Sequence, residues 1–351
     1  MASPEQCWVV EDYELRPTDA RRLRERGTWV SLHAHSCHST ENIASLNWVV
    51  ALRWMRPLSG ILQKAFGLAP GERLDYREVT YHPPVTPEDV LRMEHEKAAR
   101  LGFRRVVFGL TDHDEVAGSL ALRHAHAADA GLLPVGEELS LSYRGHVFHL
   151  GVTGLNPATA LADHASLQAL ARGADPGPAF EHLRGLGCLV VLNHPLLPWA
   201  GDPEGLAVEF LRRHGNAIDA LELNGMRTPE ENRRVLALAR AVRKPVVGGG
   251  DAHLLVASAA ACASAADSFA AFVQEVREGR TLPVVTKDYF APLGWKLTLR
   301  VLAFIAQYRR IAQFRGEAVG DLLAGRRVLL DPAGAAARVF LEATARLGRL
   351  S

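Results

Sequence analysis

His33 and His35 stand one residue apart at the end of the apolar run Trp29-Val30-Ser31-Leu32, and Asp251 and His253 repeat that spacing after Pro245–Gly248. In an extended chain, residues two apart project to the same side. Each pair therefore offers two donors from one point: two imidazoles from the first, a carboxylate and an imidazole from the second. Imidazole and carboxylate without thiolate suit zinc, manganese or iron. Either pair alone is a weak signal. Between them, more His and acidic residues follow apolar runs: Thr111-Asp112-His113-Asp114, Gly136-Glu137-Glu138, His149, Asn193-His194-Pro195 and Glu222-Leu223-Asn224.

The elements that would position these groups alternate. Apolar stretches of strand length occur at Trp29–Leu32, Arg105–Leu110, Leu132–Val135, His146–Leu150, Cys188–Leu192, Ile218–Leu223 and Pro245–Gly248. Helical spacing fills Pro87–Leu101, with Thr86 placed to cap it and Gly102 to end it, and also Val116–Ala130, Pro178–Leu186 and Pro229–Val242. Strands alternating with helices predict an α/β fold with a parallel sheet, and seven of them favour a closed barrel. In a β/α barrel the C-terminal strand ends surround one pocket, where catalytic groups collect. Glu137 and Glu138 are adjacent and point opposite ways if extended, so only one of them can face that pocket.

Composition narrows the class. The chain has 351 residues, 48% of them hydrophobic, and a formal net charge of +1, so no overall field marks a nucleic-acid or acidic partner. Its four cysteines show no C-x-x-C spacing, which argues against a disulfide framework and a thiolate zinc site. No basic–apolar leader opens the sequence, and its longest weakly apolar stretch, 254–266, is too short and too rich in Ala and Ser to span a bilayer. A cytoplasmic protein is the expectation.

Taken together, the motifs resemble those of the PHP (polymerase and histidinol phosphatase) family of metal-dependent phosphoesterases. The matching pieces, in the family's order, are His33-x-His35-Ser36, Thr111-Asp112-His113-Asp114, Gly136-x-Glu138, His149-Leu150-Gly151, His194-Pro195 and Gly250-Asp251-x-His253. The likeness covers roughly residues 28 to 286 apart from one insertion. It implies a distorted (β/α)7 barrel over residues 1–290 and two or three divalent transition metals. One metal would be held by His33, His35, Glu138 and Asp251. A second would share Glu138 and add His149 and His194. A third would take His113 and His253. Where the family commonly has Asp, this chain has Thr40, so the third site would draw on Glu41, with His38 as a second candidate.

The chemistry implied is hydrolysis of a phosphate mono- or diester of a small molecule by a hydroxide held between metals. Asp251 would both ligate and accept the proton, with His194 beside it in the catalytic set. His38 on the first loop, Asn224 and Arg227 on the sixth, and Lys287 just past the barrel are candidates to grip phosphate. His95, His124, His126, His164, His182 and His214 have no partner motif and are expected at the surface.

Two segments lie outside the barrel pattern. About residues 43–85, helical spacing at Ile43–Arg56 and Ile61–Leu68, broken by Pro57, predicts a helical insertion after the first strand that walls or lids the site. Residues 291–351 form a basic helical extension with a net charge of +6 against −5 for the rest. Such a tail can touch a membrane surface or nucleic acid, the latter supporting a nuclease or nucleotide phosphodiesterase as the alternative, but packing on its own domain is the favoured reading, with self-association through the C-terminal helices beside it. A metal-binding scaffold without activity is the third reading.

Overall fold

Several buried strands here, Thr28–Ser31, Arg105–Phe108, Leu189–Asn193 and Leu282–Thr286, are short and carry valine. The computed structural model describes residues 7–18, 20–42, 80–83, 85–197, 200–253 and 257–292. In chain order its strands are β1 (Cys7–Glu11), β2 (Glu14–Thr18), β3 (Thr28–Ser31), β4 (Glu41–Asn42), β5 (Thr80–Tyr81), β6 (Arg105–Phe108) and β7 (Val135–Tyr143). They continue as β8 (His146–Leu155), β9 (Leu189–Asn193), β10 (Ala220–Asn224), β11 (Val246–Gly249), β12 (Ala260–Ser264) and β13 (Leu282–Thr286).

The chain divides into two units, Met1–Ser39 with Thr86–Pro292, and Thr40–Val85 with Leu293–Ser351. In the second, β4 pairs with β5 in antiparallel register, Glu41 opposite Tyr81. The helices expected at Ile43–Arg56 and Ile61–Leu68, and the basic tail beyond residue 292, lie outside the described residues.

The first unit is α/β, with two sheets. One has the order β2-β1-β13-β12-β3-β6 and the other β11-β10-β9-β8-β7. Backbone hydrogen bonds join them at two points. Asp251 N–H donates to His33 O (2.9 Å) and His35 N–H to Ala252 O (2.8 Å), tying the end of β11 to the end of β3. Glu138 N–H donates to Asp112 O (3.0 Å) and Asp114 N–H to Glu138 O (3.0 Å), tying the loop after β6 to β7.

The expectation of an all-parallel sheet fails at β8, which runs antiparallel to both β7 and β9. Arg144 (φ 50°) and Gly145 (φ 76°) connect β7 to β8 as a two-residue turn, and two successive positive φ values suit the twist of a hairpin. Only a glycine and a long basic residue signal that turn in the sequence. Because β8 runs backwards, His149 near its start lies opposite Asn193 at the end of β9. Strands β1, β2, β12 and β13 also lie outside the seven expected runs.

The predicted helices form with identifiable caps. Thr86 accepts from Asp89 N–H at the start of Pro87–Leu101, and Gly102 (φ 87°) ends it in the left-handed conformation. Thr228 and Glu231 form a reciprocal capping box on Pro229–Val242. The helix expected over Val116–Ala130 stops at Ala125 and gives way to a 3₁₀ turn, Ala127–Asp129. Helices Ala160–Ala171 and Pro203–His214 fall between the predicted ones.

Within a largely aliphatic core lies a buried aromatic group. Phe148 stacks on Phe210 (4.2 Å), Tyr143 meets Phe210 edge-on (5.2 Å), and His214 stacks on Phe180 (4.8 Å). His214, expected at the surface, is therefore a core residue, and burial pushes its imidazole pKa below the ordinary value. Among the described residues no helix is long and apolar enough to cross a membrane.

Candidate metal centre

Glu138 is the hub. Its strand, β7, alternates faces, so Glu137 and Glu138 do point opposite ways. Glu137 turns to the helix Ala160–Ala171, where His164 Nδ1 (2.8 Å) and Gln168 Nε2 (3.2 Å) reach its Oε2. His164 is thus a partner of a buried carboxylate rather than a free surface residue. Burial raises the Glu137 pKa, and the contacts with His164 and Gln168 work against that rise.

Glu138, fully buried, meets imidazoles with both oxygens. Its Oε2 lies 3.2 Å from His33 Nε2, 3.3 Å from His35 Nε2 and 3.3 Å from His113 Nε2. Its Oε1 lies 3.2 Å from His194 Nε2 and 3.5 Å from His149 Nδ1, and accepts from Asn193 Nδ2 at 2.9 Å. Asp251 Oδ1 completes the inner group, 3.6 Å from His33 Nε2 and 3.4 Å from His35 Nε2. His33 and His35 approach each other Nε2 to Nε2 at 3.1 Å. His35 stacks between His113 (4.8 Å) and His253 (4.3 Å), and His253 Nδ1 lies 2.9 Å from the Asp251 carbonyl.

These donors fall into groups of metal-binding dimensions: His33 with His194 and Asp251, His33 with His35 and Glu138, and His113 with Glu138 and His149, each within 4.8 Å of one another. Glu138 Oε2, His149 Nδ1 and His194 Nδ1 are buried without a hydrogen-bond partner among the described residues. A buried carboxylate oxygen facing three imidazoles, yet satisfied by none, fits a position that a divalent cation fills. The donor set of His and carboxylate is of the kind that holds such cations.

Electrostatics agree with the geometry. Burial alone would lower the His33 pKa, but the carboxylates of Glu138, Glu222 and Asp251 raise it well above the ordinary value. Burial would raise Glu138, yet His33, His113 and His149 hold it well below the usual carboxylate range. Asp251 behaves likewise, held down against burial by His33, His35 and His253. His149 goes the other way, lowered by burial despite Glu138.

Two of these residues have strained backbones. Asp251 sits at φ 51° and His194 at φ 28°, in the left-handed half of conformational space. Such conformations cost on the order of 1–3 kcal/mol and concentrate at functional sites.

The support around the hub was only partly visible in the sequence. Glu222 Oε1 lies 2.5 Å from His33 Nδ1. Its Oε2 accepts from His194 N–H (2.9 Å) and from Asn224 Nδ2 (2.8 Å). Asp112 accepts from Ser36 N–H (2.5 Å) and Ser36 Oγ (2.9 Å), holding the loop after β3. A carboxylate in the apolar strand Ala220-Leu221-Glu222-Leu223-Asn224 was the available signal for Glu222.

The residues expected to grip phosphate stand in different settings. Asn224 is buried, its amide shared between Glu222 and Asp251 Oδ2 (3.1 Å). Arg227 is partly buried and lies 4.0 Å from Glu231. Lys287 is exposed, in the 3₁₀ turn after β13. His38 follows the Ser36 turn, its N–H donating to Ser36 Oγ (3.3 Å). Glu41, expected at a third metal, stands in β4 of the second unit.

No protein-family model and no curated protein matches the chain. Solved structures that it resembles include a two-domain protein from Bacteroides vulgatus containing a predicted PHP-like metal-dependent phosphoesterase, at 14% identity over 73% of this chain and 64% of that one, TM-score 0.33. A lesion-specific endonuclease from Pyrococcus furiosus is 12% identical over 71% of this chain and 56% of its own, TM-score 0.42. An amidohydrolase from Chromobacterium violaceum is 19% identical over 49% of this chain and 83% of its own, TM-score 0.37.

Proposed function

We propose that this chain is a divalent-metal-dependent phosphoesterase of the PHP type, acting on a phosphate mono- or diester of a small molecule. The observation that carries the reading is the spacing of His33, His35, Glu138 and Asp251. Four donors placed tetrahedrally about 2.0–2.1 Å from one ion stand about 3.3 Å from each other. The five separations that involve an imidazole run from 3.1 to 3.6 Å. We further propose that β3 and β6 to β11 close as a distorted (β/α)7 barrel; the hydrogen bonds joining β11 to β3 and the β6 loop to β7 support that closure.

In this reading His33, His35, Glu138 and Asp251 hold one metal, and Glu138, His149 and His194 hold a second. His113 and His253 are proposed as donors to a third. Such cations supply Lewis acidity toward phosphate oxygens and a nucleophilic hydroxide near neutral pH. The protein's share is orientation and proton handling. Asn224 fixes one oxygen of Asp251, so the carboxylate keeps one face toward the reacting centre, where it accepts the proton of the attacking water. His149, His253 and His113 are the more exposed members of the group (24%, 20% and 16%), so substrate enters from their side.

The test is direct. Purified protein should carry about two or three transition-metal ions per chain and hydrolyse an aryl phosphate ester, and His194→Ala should abolish that hydrolysis. Protein that takes up no Zn²⁺, Mn²⁺ or Fe²⁺ would sink the proposal, as would His194→Ala with full activity.

A further inference from the structure

We infer that Glu222 is a positioning residue for the metal centre, fixing the ring tautomer of His33 and tying together the loops that carry three of the donors. The inference rests on the metal-binding reading above. Glu222 lies within a strand of otherwise buried residues and is itself almost wholly shielded from water, at 1% exposure. A carboxylate so placed costs free energy unless its oxygens are satisfied. Both are, and each by a donor-bearing segment.

Oε1 lies 2.5 Å from His33 Nδ1, so an ionised Glu222 holds a proton on Nδ1, and once a metal displaces the Nε2 proton that nitrogen is the donor, on the side of Glu138 and Asp251. Oε2 accepts the backbone N–H of His194 (2.9 Å), the residue at φ 28°. The same oxygen accepts from Asn224 Nδ2 (2.8 Å), whose amide also holds Asp251 Oδ2 (3.1 Å). One carboxylate on β10 thereby links donors that follow β3, β9 and β11. The neighbouring strand makes room for it. A Cβ on Gly249 would lie 1.7 Å from Glu222 Oε1, so the space the carboxylate occupies exists because that residue has no side chain.

The isosteric change E222Q removes one acceptor and can place an amide N–H against His33 Nδ1. His33 then takes the other tautomer, with its proton on Nε2, and stops being a donor to metal. We expect Zn²⁺ affinity, measured by competition with a chelator, to fall about 10–100-fold, with circular dichroism unchanged. In the Zn²⁺-loaded wild-type protein, ¹⁵N–¹H correlation of labelled histidines should show a slowly exchanging proton on His33 Nδ1, identified by its loss in His33→Asn.

Wild-type protein that binds no metal refutes the parent proposal. Wild-type protein that binds metal while E222Q binds it equally well, or with the His33 proton on Nε2, overturns this inference alone. If E222Q does not fold, the wild-type tautomer decides the matter by itself, and E222D, which keeps the acceptor but shortens its reach, should restore the Nδ1 proton with weakened Zn²⁺ binding.

Discussion

Gly249→Ala is the smallest change that should be felt at the metal centre without touching a donor. The added Cβ would stand 1.7 Å from Glu222 Oε1 and 2.6 Å from its Cδ, whereas real Cβ contacts essentially never fall below 3.0 Å. The carboxylate must therefore retreat by at least about 1.3 Å, the difference between those distances. The backbone at Gly249 is not left-handed, so the strain arises from this overlap alone. A carboxylate end can swing away cheaply on steric grounds, but here it leaves the His33, His194 and Asn224 donors behind. Each hydrogen bond to a charged group is worth roughly 1.5–3 kcal/mol, and losing one or two gives about 2–5 kcal/mol. At about 2–4 °C per kcal/mol for a domain of this size, the melting temperature of the metal-free protein should fall by about 4–20 °C. Differential scanning fluorimetry with and without Zn²⁺ reads both the loss and the weaker rescue by metal. A variant melting within about a degree of wild type and fully rescued would refute the argument from overlap.

Other perturbations separate site from scaffold. Replacing Phe210 by Ala, fully buried among Phe148, Tyr143 and Phe180, should cost about 3–5 kcal/mol in urea unfolding while the metal content of the folded fraction stays at the wild-type value. His164→Ala leaves Glu137 buried with Gln168 as its remaining partner, and should lower stability by about 1–3 kcal/mol with little change in Zn²⁺ affinity, read by chelator competition. Metal uptake should keep rising with pH beyond 6.5, because Glu138, Glu222 and Asp251 hold the His33 proton above its ordinary range, and the ion must displace that proton to bind. Chelator competition from about pH 6 to about pH 8 would level off once the ordinary imidazole range is passed if the carboxylates had no such hold.

The sequence exposed the clustered histidines and carboxylates far better than it exposed their setting. They were legible at strand ends because a polar residue closing an apolar run has few structural uses, and the likeness of Gly136-x-Glu138 to the PHP motif singled out the hub from its neighbour. The capped helices Pro87–Leu101 and Pro229–Val242 were legible for the same kind of reason, each with its own start and stop chemistry. The reversal of β8 was hidden, since Arg144-Gly145 is a weak hairpin signal and strand direction leaves no trace in periodicity. Glu222 is visible in the sequence without its task, because nothing local tells that it faces His33 from a strand far along the chain. His214 reads as a surface residue, since a histidine stacked on Phe180 looks like any other until the packing is known.

The positive φ values at His194 and Asp251 reach beyond strain. Among residues other than glycine, the left-handed region is entered most readily by Asn, Asp and His, whose side chains tolerate it. His194 and Asp251 are both of these types, so the chain can turn sharply as it leaves β9 and β11 at the very residues it presents to the centre, and a substitution at either position meets a backbone preference as well as a chemical one.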